Sequence, residues 1–380
     1  LRVAELVWTQ EAAKWDHIRH DVALALGNPK QRAAAIESDA EIVVINIENI
    51  GWLIDNYPDT FDGLIIDELS KMKDVGGTTA RAMRMWVRKL NWRVGMSATP
   101  VAESSADLYG QALLIDLGKA LGTRKEAFLN RYFIPTDYER RSWTLVHGAA
   151  LAAAMKDLCY VVDDTDYAEE LPDLVYIEHV LTMPAEVAEL YYQMAEHSVA
   201  MGVAAGSAAI RTGKLRQIAS GGLYGEETQL VWFNPWRLDV AIELIKASDG
   251  PMLVVYEFAF QLEYLRDTFP DALVLGDGQK FRAAELARWS AGKVPVLLMH
   301  VRSAAHGLNL QYGGYRMLVI TPVWGSDPWQ QVIGRIRRRG QPSSKVIVHQ
   351  MLAHSTEDLK FRLRLDDKAV AEKAFMGLMM

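Results

Sequence analysis

Apolar positions along this chain come in two kinds: short continuous runs, and stripes repeating every three or four residues. Ile42-Val-Val-Ile45 is a continuous β-branched run, read as a strand buried on both faces. Gly63-Leu-Ile-Ile66 reads as a second buried strand, and Trp92–Met96 as a strand. Between them lie helical signals: a stripe of Val7, Trp8, Ala12, Trp15 and Ile18, a helix from Asn28-Pro29 through Ile36, one from Asn49 to Tyr57 stopped by Pro58, and one over Thr79–Leu90. Strand–helix alternation implies a parallel sheet with crossover helices. Residues 117–162 read as a helical extension, with Arg124–Tyr132 and Ala149–Leu158 as its clearest elements. An acidic run, Asp163-Asp-Thr-Asp-Tyr-Ala-Glu-Glu170, closed by Leu171-Pro172, reads as a linker. The alternation then resumes. Helices are expected at Pro184–Met201, Pro235–Ala247 and Phe258–Phe269, and strands at Met252–Tyr256, Ala272–Leu275, Val294–Met299, Met317–Thr321 and Val346–Gln350. The pattern predicts an α/β protein of two similar parallel-sheet units, 1–165 and 173–380, joined by a linker at 166–172.

Composition narrows the classes. The chain has 380 residues, enough for two domains of ordinary size, and half of them are hydrophobic. No apolar run is long enough for a membrane helix, and no signal-peptide pattern opens the chain, so a membrane protein is not expected. The single cysteine, Cys159, rules out a disulfide framework and points to a reducing compartment. One cysteine and scattered histidines leave no structural zinc pattern; His17 and His20 share a helix face without an evident third ligand. Net charge is −7 and falls on the first 171 residues, the remainder being neutral. Any nucleic-acid contact must therefore use local grooves and not a basic domain.

Four stretches carry chemistry. Ile65-Ile66-Asp67-Glu68 sets adjacent carboxylates at the carboxyl end of a predicted strand, where open α/β sheets bind ligands; an acidic loop after a core strand is the plain alternative. Gly95-Met-Ser97-Ala-Thr99-Pro100 ends the next strand at the same sheet edge, and its hydroxyls can bond to those carboxylates. It is not a nucleophile elbow, because Thr99 stands where the second glycine is required. Ser303-Ala-Ala-His306-Gly307-Leu-Asn309-Leu-Gln311 follows a strand with a glycine that lets backbone approach a phosphate or ribose. Gln331-Val-Ile-Gly-Arg335-Ile-Arg-Arg338-Arg-Gly340-Gln341 holds four arginines in five positions. Asp327-Pro328 suits a helix start, and a helix from there would put Gln331, Arg335 and Arg338 on one face. That face suits a polyphosphate, since guanidinium forks bind oxyanions bidentately. A solvated basic face or a nucleic-acid patch fits the composition equally well.

In this order and spacing the four stretches resemble the superfamily-two helicase core, in its Swi/Snf-like branch and above all its compact phage and prophage forms. Ile-Ile-Asp67-Glu68-Leu-Ser is similar to motif II, Ser97-Ala-Thr99-Pro to motif III, His306-Gly-Leu-Asn-Leu-Gln311 to motif V, and Gln331-x-x-x-Arg335-x-x-Arg338-x-Gly340-Gln341 to motif VI. Lesser agreements are Leu1-Arg-Val3 with motif Ia, Leu215-Arg-Gln217-Ile-Ala-Ser, and Met252-Leu-Val-Val255 with motif IV.

The resemblance implies two RecA-like domains in tandem with a cleft between them, binding ATP and Mg²⁺ and moving along DNA. Asp67 would hold Mg²⁺ through water and Glu68 would be the general base. Arg335 and Arg338 would stabilise the transferring phosphoryl group, with Gln331 positioning nucleotide or water. Gly307, Asn309, Gly340 and Gln341 would line the nucleotide site. Arg2, Asn46, Ser97, Thr99, Ser303, Gln311 and Trp324 would contact nucleic acid, chiefly phosphate and sugar and so without sequence specificity. Double-stranded DNA is the implied substrate, the host cytoplasm the location, and phage or host replication or recombination proteins the partners. Arg81, Arg84 and Arg88 recur at helical spacing and read as either a nucleic-acid stripe or a solvated face.

One family element is missing. None of the Gly-Lys pairs at 118–119, 213–214 and 292–293 is followed by Ser or Thr, and none has glycine five positions before it, so these residues contain no Walker A loop. The chain opens at Leu1 within the presumptive motif Ia, which reads as an N-terminal truncation that removes the first strand and P-loop helix. Alone, the 380 residues are expected to bind ATP poorly and turn it over slowly or not at all. The rival reading is a non-catalytic DNA- or partner-binding remnant, or one half of a split helicase. A dinucleotide enzyme ranks last, because no Gly-x-Gly-x-x-Gly follows any strand.

Overall fold

The computed structural model describes Trp8 and residues 21–73, 76–101, 104–162, 170–225, 229–276, 282–306 and 308–379. Apart from Trp8, the Val7–Ile18 stripe lies outside the described residues, as do Arg2 and Gly307. Backbone contacts divide the chain into two compact units, Leu1–Asp163 with Lys368–Met380, and Asp164–Asp367. The last residues of the chain thus group with the first unit, whereas the sequence pattern assigns them to the second.

In the first unit, β1 (Val22–Ala25) pairs in parallel with β2 (Ile42–Ile45), and β3 (Gly63–Ile66) pairs in parallel with β4 (Trp92–Gly95). Helix α1 (Pro29–Ile36) joins the first pair. Asn28 caps it, accepting from the Gln31 N–H while the Gln31 side chain bonds back to the Asn28 N–H, and Pro29 is pre-set for the first turn. Helices α2 (Ile50–Asn56) and α3 (Thr78–Trp86) pack Ile50, Leu53, Met83 and Trp86 with Ala25 and Ile66 in one apolar core. The expectation that β2 and β3 are buried strands is corrected: Ile65 is 45% exposed, and Val94 opposite it on β4 is 47% exposed. Among the described residues each strand has one pairing partner, and the core covers one face only. A β-branched run reports strand propensity whether or not its second face is covered.

The rest of this unit is α4 (Leu108–Asp116), α5 (Lys125–Tyr132), the hairpin β5 (Phe133–Pro135) with β6 (Trp143–Leu145), and α6 (Gly148–Met155). They share a second core built on Tyr109, Phe128, Tyr132 and Leu151.

The second unit is organised around a six-stranded sheet in the order β13-β14-β12-β15-β16-β7, every neighbouring pair parallel. Its strands are β7 (Asp173–Leu181), β12 (Met252–Tyr256), β13 (Leu273–Leu275), β14 (Val296–His300), β15 (Arg316–Val319) and β16 (Lys345–Ala353). β12 is central and buried along its length, as a continuous apolar run inside a parallel sheet should be. Outside the sheet lie α7 (Ala185–His197), the hairpins β8 (Val199–Ala200) with β9 (Val203–Ala204) and β10 (Gly222–Tyr224) with β11 (Leu230–Trp232), and α8 (Ala208–Ala219). Helices α9 (Trp236–Lys246), α10 (Ala259–Thr268), α11 (Ala283–Ser290), α12 (Ser326–Ile333) and α13 (Glu357–Gly377) complete the chain. The α/β class with a large parallel sheet is as the alternation predicts.

Three elements depart from expectation. β7 falls where the sequence pattern assigns no element, and it adds a nine-residue strand alongside β16. The helix over Pro184–Met201 stops at His197, where Ser198 takes a left-handed conformation and a hairpin begins. The arginine-bearing helix stops at Ile333.

Candidate functional site

In the first unit the parallel register Ile66↔Gly95 makes β3 and β4 end side by side, so the Asp67-Glu68 and Ser97-Ala-Thr99 stretches leave the same edge. The Met96 N–H donates to the Ile66 carbonyl (2.9 Å), and the Leu69 N–H donates to the Met96 carbonyl (2.7 Å), which fastens the two loops together. Gly95 permits this approach, since a Cβ there would lie 2.4 Å from Leu69 Cδ2. Asp67 is exposed, while Glu68 is half-buried at φ 57°, ψ 55°, in the left-handed region that L residues avoid. That strained residue turns the chain from strand into a short 3₁₀ helix, Leu69–Met72. Ser97 is half-buried and its Oγ accepts from the Thr99 N–H at 3.3 Å. Asn46 is half-buried where β2 runs into a 3₁₀ turn.

Among the described residues, no group of three or more His, Cys, Asp or Glu side chains could hold a metal ion. A fully protein-ligated cation is therefore not a fit. An ion that keeps most of its waters and takes one exposed carboxylate, as Mg²⁺ does, is compatible with Asp67.

In the second unit the stretches around 308–314 and 331–341 are bonded to each other. Arg335 Nε donates to the Gln331 carbonyl (3.0 Å) and its Nη1 to the Leu308 carbonyl (3.4 Å), while the Leu310 N–H donates to the Arg335 carbonyl (3.2 Å). Gln341 Nε2 donates to the carbonyls of Gly314 and Ile336, both at 3.1 Å. Gln311 Nε2 donates to the Arg339 carbonyl (3.4 Å). Gly340, at φ 82°, makes the turn, and a Cβ there would sit 3.2 Å from the Tyr312 hydroxyl. Asn309 is half-buried within this assembly.

The shared helical face of Gln331, Arg335 and Arg338 is corrected. Gly334 caps the helix, and the chain continues through i→i+3 bonds from Arg335 to Val332 and from Ile336 to Ile333. Gly334 destabilises further helix, so the regular spacing that would align Arg335 and Arg338 with Gln331 ends at Ile333. Gln331 instead donates to Asp327 Oδ1 (3.1 Å), Arg335 is half-buried, and Arg338 is exposed. Arg337 Nε donates to the Pro172 carbonyl at 3.3 Å, and Arg339 pairs with Glu170. The site residues expected to touch nucleic acid also divide. Thr99, Ser303 and Gln311 are buried, so their side chains as placed serve the protein interior; Asn46 and Ser97 are half-buried, and Trp324 is 46% exposed.

A buried polar network at the carboxyl edge of the six-stranded sheet has no counterpart in the sequence reading. Glu257, just past β12, takes Arg216 Nη1 on Oε1 (2.7 Å) and Nη2 on Oε2. Arg216 Nη2 also donates to the Pro322 carbonyl beyond β15 (2.7 Å). Burial pushes the Glu257 carboxyl up from its ordinary range, and the Arg216 charge opposes that rise. Gln261 accepts from the Glu257 and Phe258 N–H groups and donates to Thr321 Oγ1 (2.9 Å), which lies 3.2 Å from Ser220 Oγ. His300 Nε2 lies 3.0 Å from the Glu257 carbonyl, and burial lowers its pKa. Leu215-Arg-Gln217 was the available signal, but one arginine on a helix does not name a partner 41 residues away.

No known family profile matches the chain. "Putative protein p41" of Acyrthosiphon pisum secondary endosymbiont phage 1 is 29% identical over 407 aligned positions, spanning all of this chain and 86% of that protein. Among solved structures, the crystal structure of the C-terminal part of the Fun30 ATPase domain aligns with 55% of this chain and 97% of its own, at 12% identity and a TM-score of 0.37.

Proposed function

We propose that this chain forms the body of an ATP-dependent DNA translocase or helicase of the Swi/Snf-like type. The observation that carries the reading is the bonding of the 308–314 stretch to the 331–341 stretch through Arg335, Gln311 and Gln341. Two segments distant in sequence and similar to family motifs V and VI are thereby one structural piece beside a parallel sheet. The paired loops carrying Asp67-Glu68 and Ser97-Ala-Thr99 add support, since they meet at one sheet edge through backbone bonds.

In this reading Mg²⁺ supplies charge neutralisation at the phosphates, and Asp67 would hold it through water. Glu68, half-buried on a left-handed backbone, would orient and deprotonate the attacking water. Arg335, anchored by two backbone carbonyls, would present a pre-positioned guanidinium edge to the transferring phosphoryl group, and Arg338 would add charge from the exposed turn. DNA contact falls to Asn46, Ser97 and Trp324. The sheet-edge loops suit a nucleotide-dependent change of shape, which is how such proteins step along a strand.

The test places a segment bearing Gly-x-x-x-x-Gly-Lys-Thr ahead of Leu1 in one polypeptide and measures ATP hydrolysis with and without duplex DNA. DNA-stimulated turnover is expected, falling by about 10²–10⁴ in Glu68→Gln and by about 10³–10⁵ in Arg335→Ala. Turnover indifferent to DNA, or normal activity in Glu68→Gln, overturns the reading.

A further inference from the structure

Trp324 is exposed on the loop between β15 and α12, yet it is not loose. The Arg216 guanidinium lies 5.4 Å from its ring centre and 5.6 Å from that of Phe361, and the Phe361 ring meets the Trp324 ring edge-on. Phe361 is buried, and the Arg216 side chain is 8% exposed. Arg216 is in turn fixed on three sides, by both carboxylate oxygens of Glu257 and by the Pro322 carbonyl two residues before Trp324. A buried arginine whose charge is already met by a carboxylate contributes little net field outside. Its planar fork does something a point charge cannot: it ties the end of β12 to the β15 loop and lays a flat cation against an exposed indole. Ordering an exposed aromatic in advance removes the entropy that a ligand would otherwise lose by ordering it.

We infer that Arg216, with Phe361, is a positioning residue that holds Trp324 in its nucleic-acid-contacting orientation, Glu257 acting as the anchor. The inference rests on the reading of Trp324 as a nucleic-acid contact and adds what makes that contact rigid. Exposed Arg302 follows β14 on the same sheet edge and could offer its charge to a backbone phosphate.

The experiment is a double-mutant cycle on the 380-residue chain, reading its affinity for a fluorescein-labelled oligothymidylate and for a duplex of the same length. Trp324→Ala should weaken binding by about tenfold, the loss of one aromatic contact. Arg216→Lys keeps the charge and loses the fork, and should weaken binding to a similar degree. The double variant should bind no worse than Trp324→Ala alone, because Arg216 acts only through the indole. Circular dichroism checks that each variant is folded; should Arg216→Lys not fold, Phe361→Leu replaces it in the cycle with the same expected non-additivity. Multiplying losses, or wild-type affinity in the Arg216→Lys variant, overturns the positioning role while leaving Trp324 as a contact. Wild-type affinity in Trp324→Ala, or no DNA binding by the unaltered chain, removes the reading on which the inference stands.

Discussion

The buried ion pair between Arg237 and Asp358 ties α9 to the start of α13, and replacing Asp358 by Asn is the sharpest stability test the fold offers. Asp358 Oδ2 receives Arg237 Nη2 at 2.5 Å and the Ala353 N–H at 3.0 Å, and the two side chains are 0% and 1% exposed. Arg237 Nη1 also donates to the Ile320 carbonyl (3.2 Å), while its Nε is buried without a partner. The guanidinium is therefore already under-satisfied, and the carboxylate is what makes its burial tolerable. Asparagine keeps the size and one acceptor but leaves a buried cation uncompensated. Breaking such a pair from one side costs about 3–5 kcal/mol, a large share of the roughly 5–15 kcal/mol that stabilises a domain. For a unit of this size that corresponds to a drop of about 10 °C in midpoint. Urea unfolding followed by circular dichroism, with the slope m checked for constancy, measures it. Replacing both partners together, Arg237→Met with Asp358→Leu, should recover most of the loss, because an apolar pair has no uncompensated charge. A loss under about 1 kcal/mol in Asp358→Asn would refute the reasoning, since it would mean the buried cation is solvated by some other route.

Three further outcomes are expected. Gly63→Ala would bring a Cβ within 1.9 Å of Trp92 Cε2, so it should cost about 1–3 kcal/mol, and the added cost should vanish on a Trp92→Ala background when both are compared in urea. Gly340→Ala forces φ 82° on an L residue and should cost roughly 1–2 kcal/mol; hydrogen exchange at Gln341 would report the loosened turn, and unchanged protection there would count against it. His179 Nε2 and His349 Nδ1 lie 2.9 Å apart on neighbouring strands, and burial holds both pKa values below the ordinary 6.5, with the neighbouring ring and Arg316 adding to the depression at His349. The unfolded chain then takes up protons before the folded one, so stability is full above about pH 6.5 and declines as pH falls below it. His349→Gln should flatten that decline in urea midpoints; an unchanged slope refutes it.

The strands and helices were legible to the degree that their own side chains decide them. β12 appears at its expected residues because a short continuous run rich in β-branched residues favours a strand, and α1 starts where Asn28-Pro29 supplies both cap and first turn. β7 was not legible because this edge strand is exposed at most of its positions and owes its pairing to β16, far along the chain. The arginine helix failed for a local reason that was present in the sequence: Gly334 sits at its end, and periodicity was extended across it.

What the sequence alone determined was the inventory: alternating elements, a carboxylate pair after one strand, an amide and arginines after another, and no Walker A spacing within these residues. Those follow from covalent order and local propensity, which need no knowledge of distant partners. Tertiary structure decided how the inventory is used. It buried Thr99, Ser303 and Gln311, left Trp324 exposed, anchored Arg335 on the Leu308 carbonyl, and closed Arg216 onto Glu257. The physical reason is that a polar side chain's role depends on the dielectric around it and on the partner it reaches, and both are set by which segments the sheet brings to one edge.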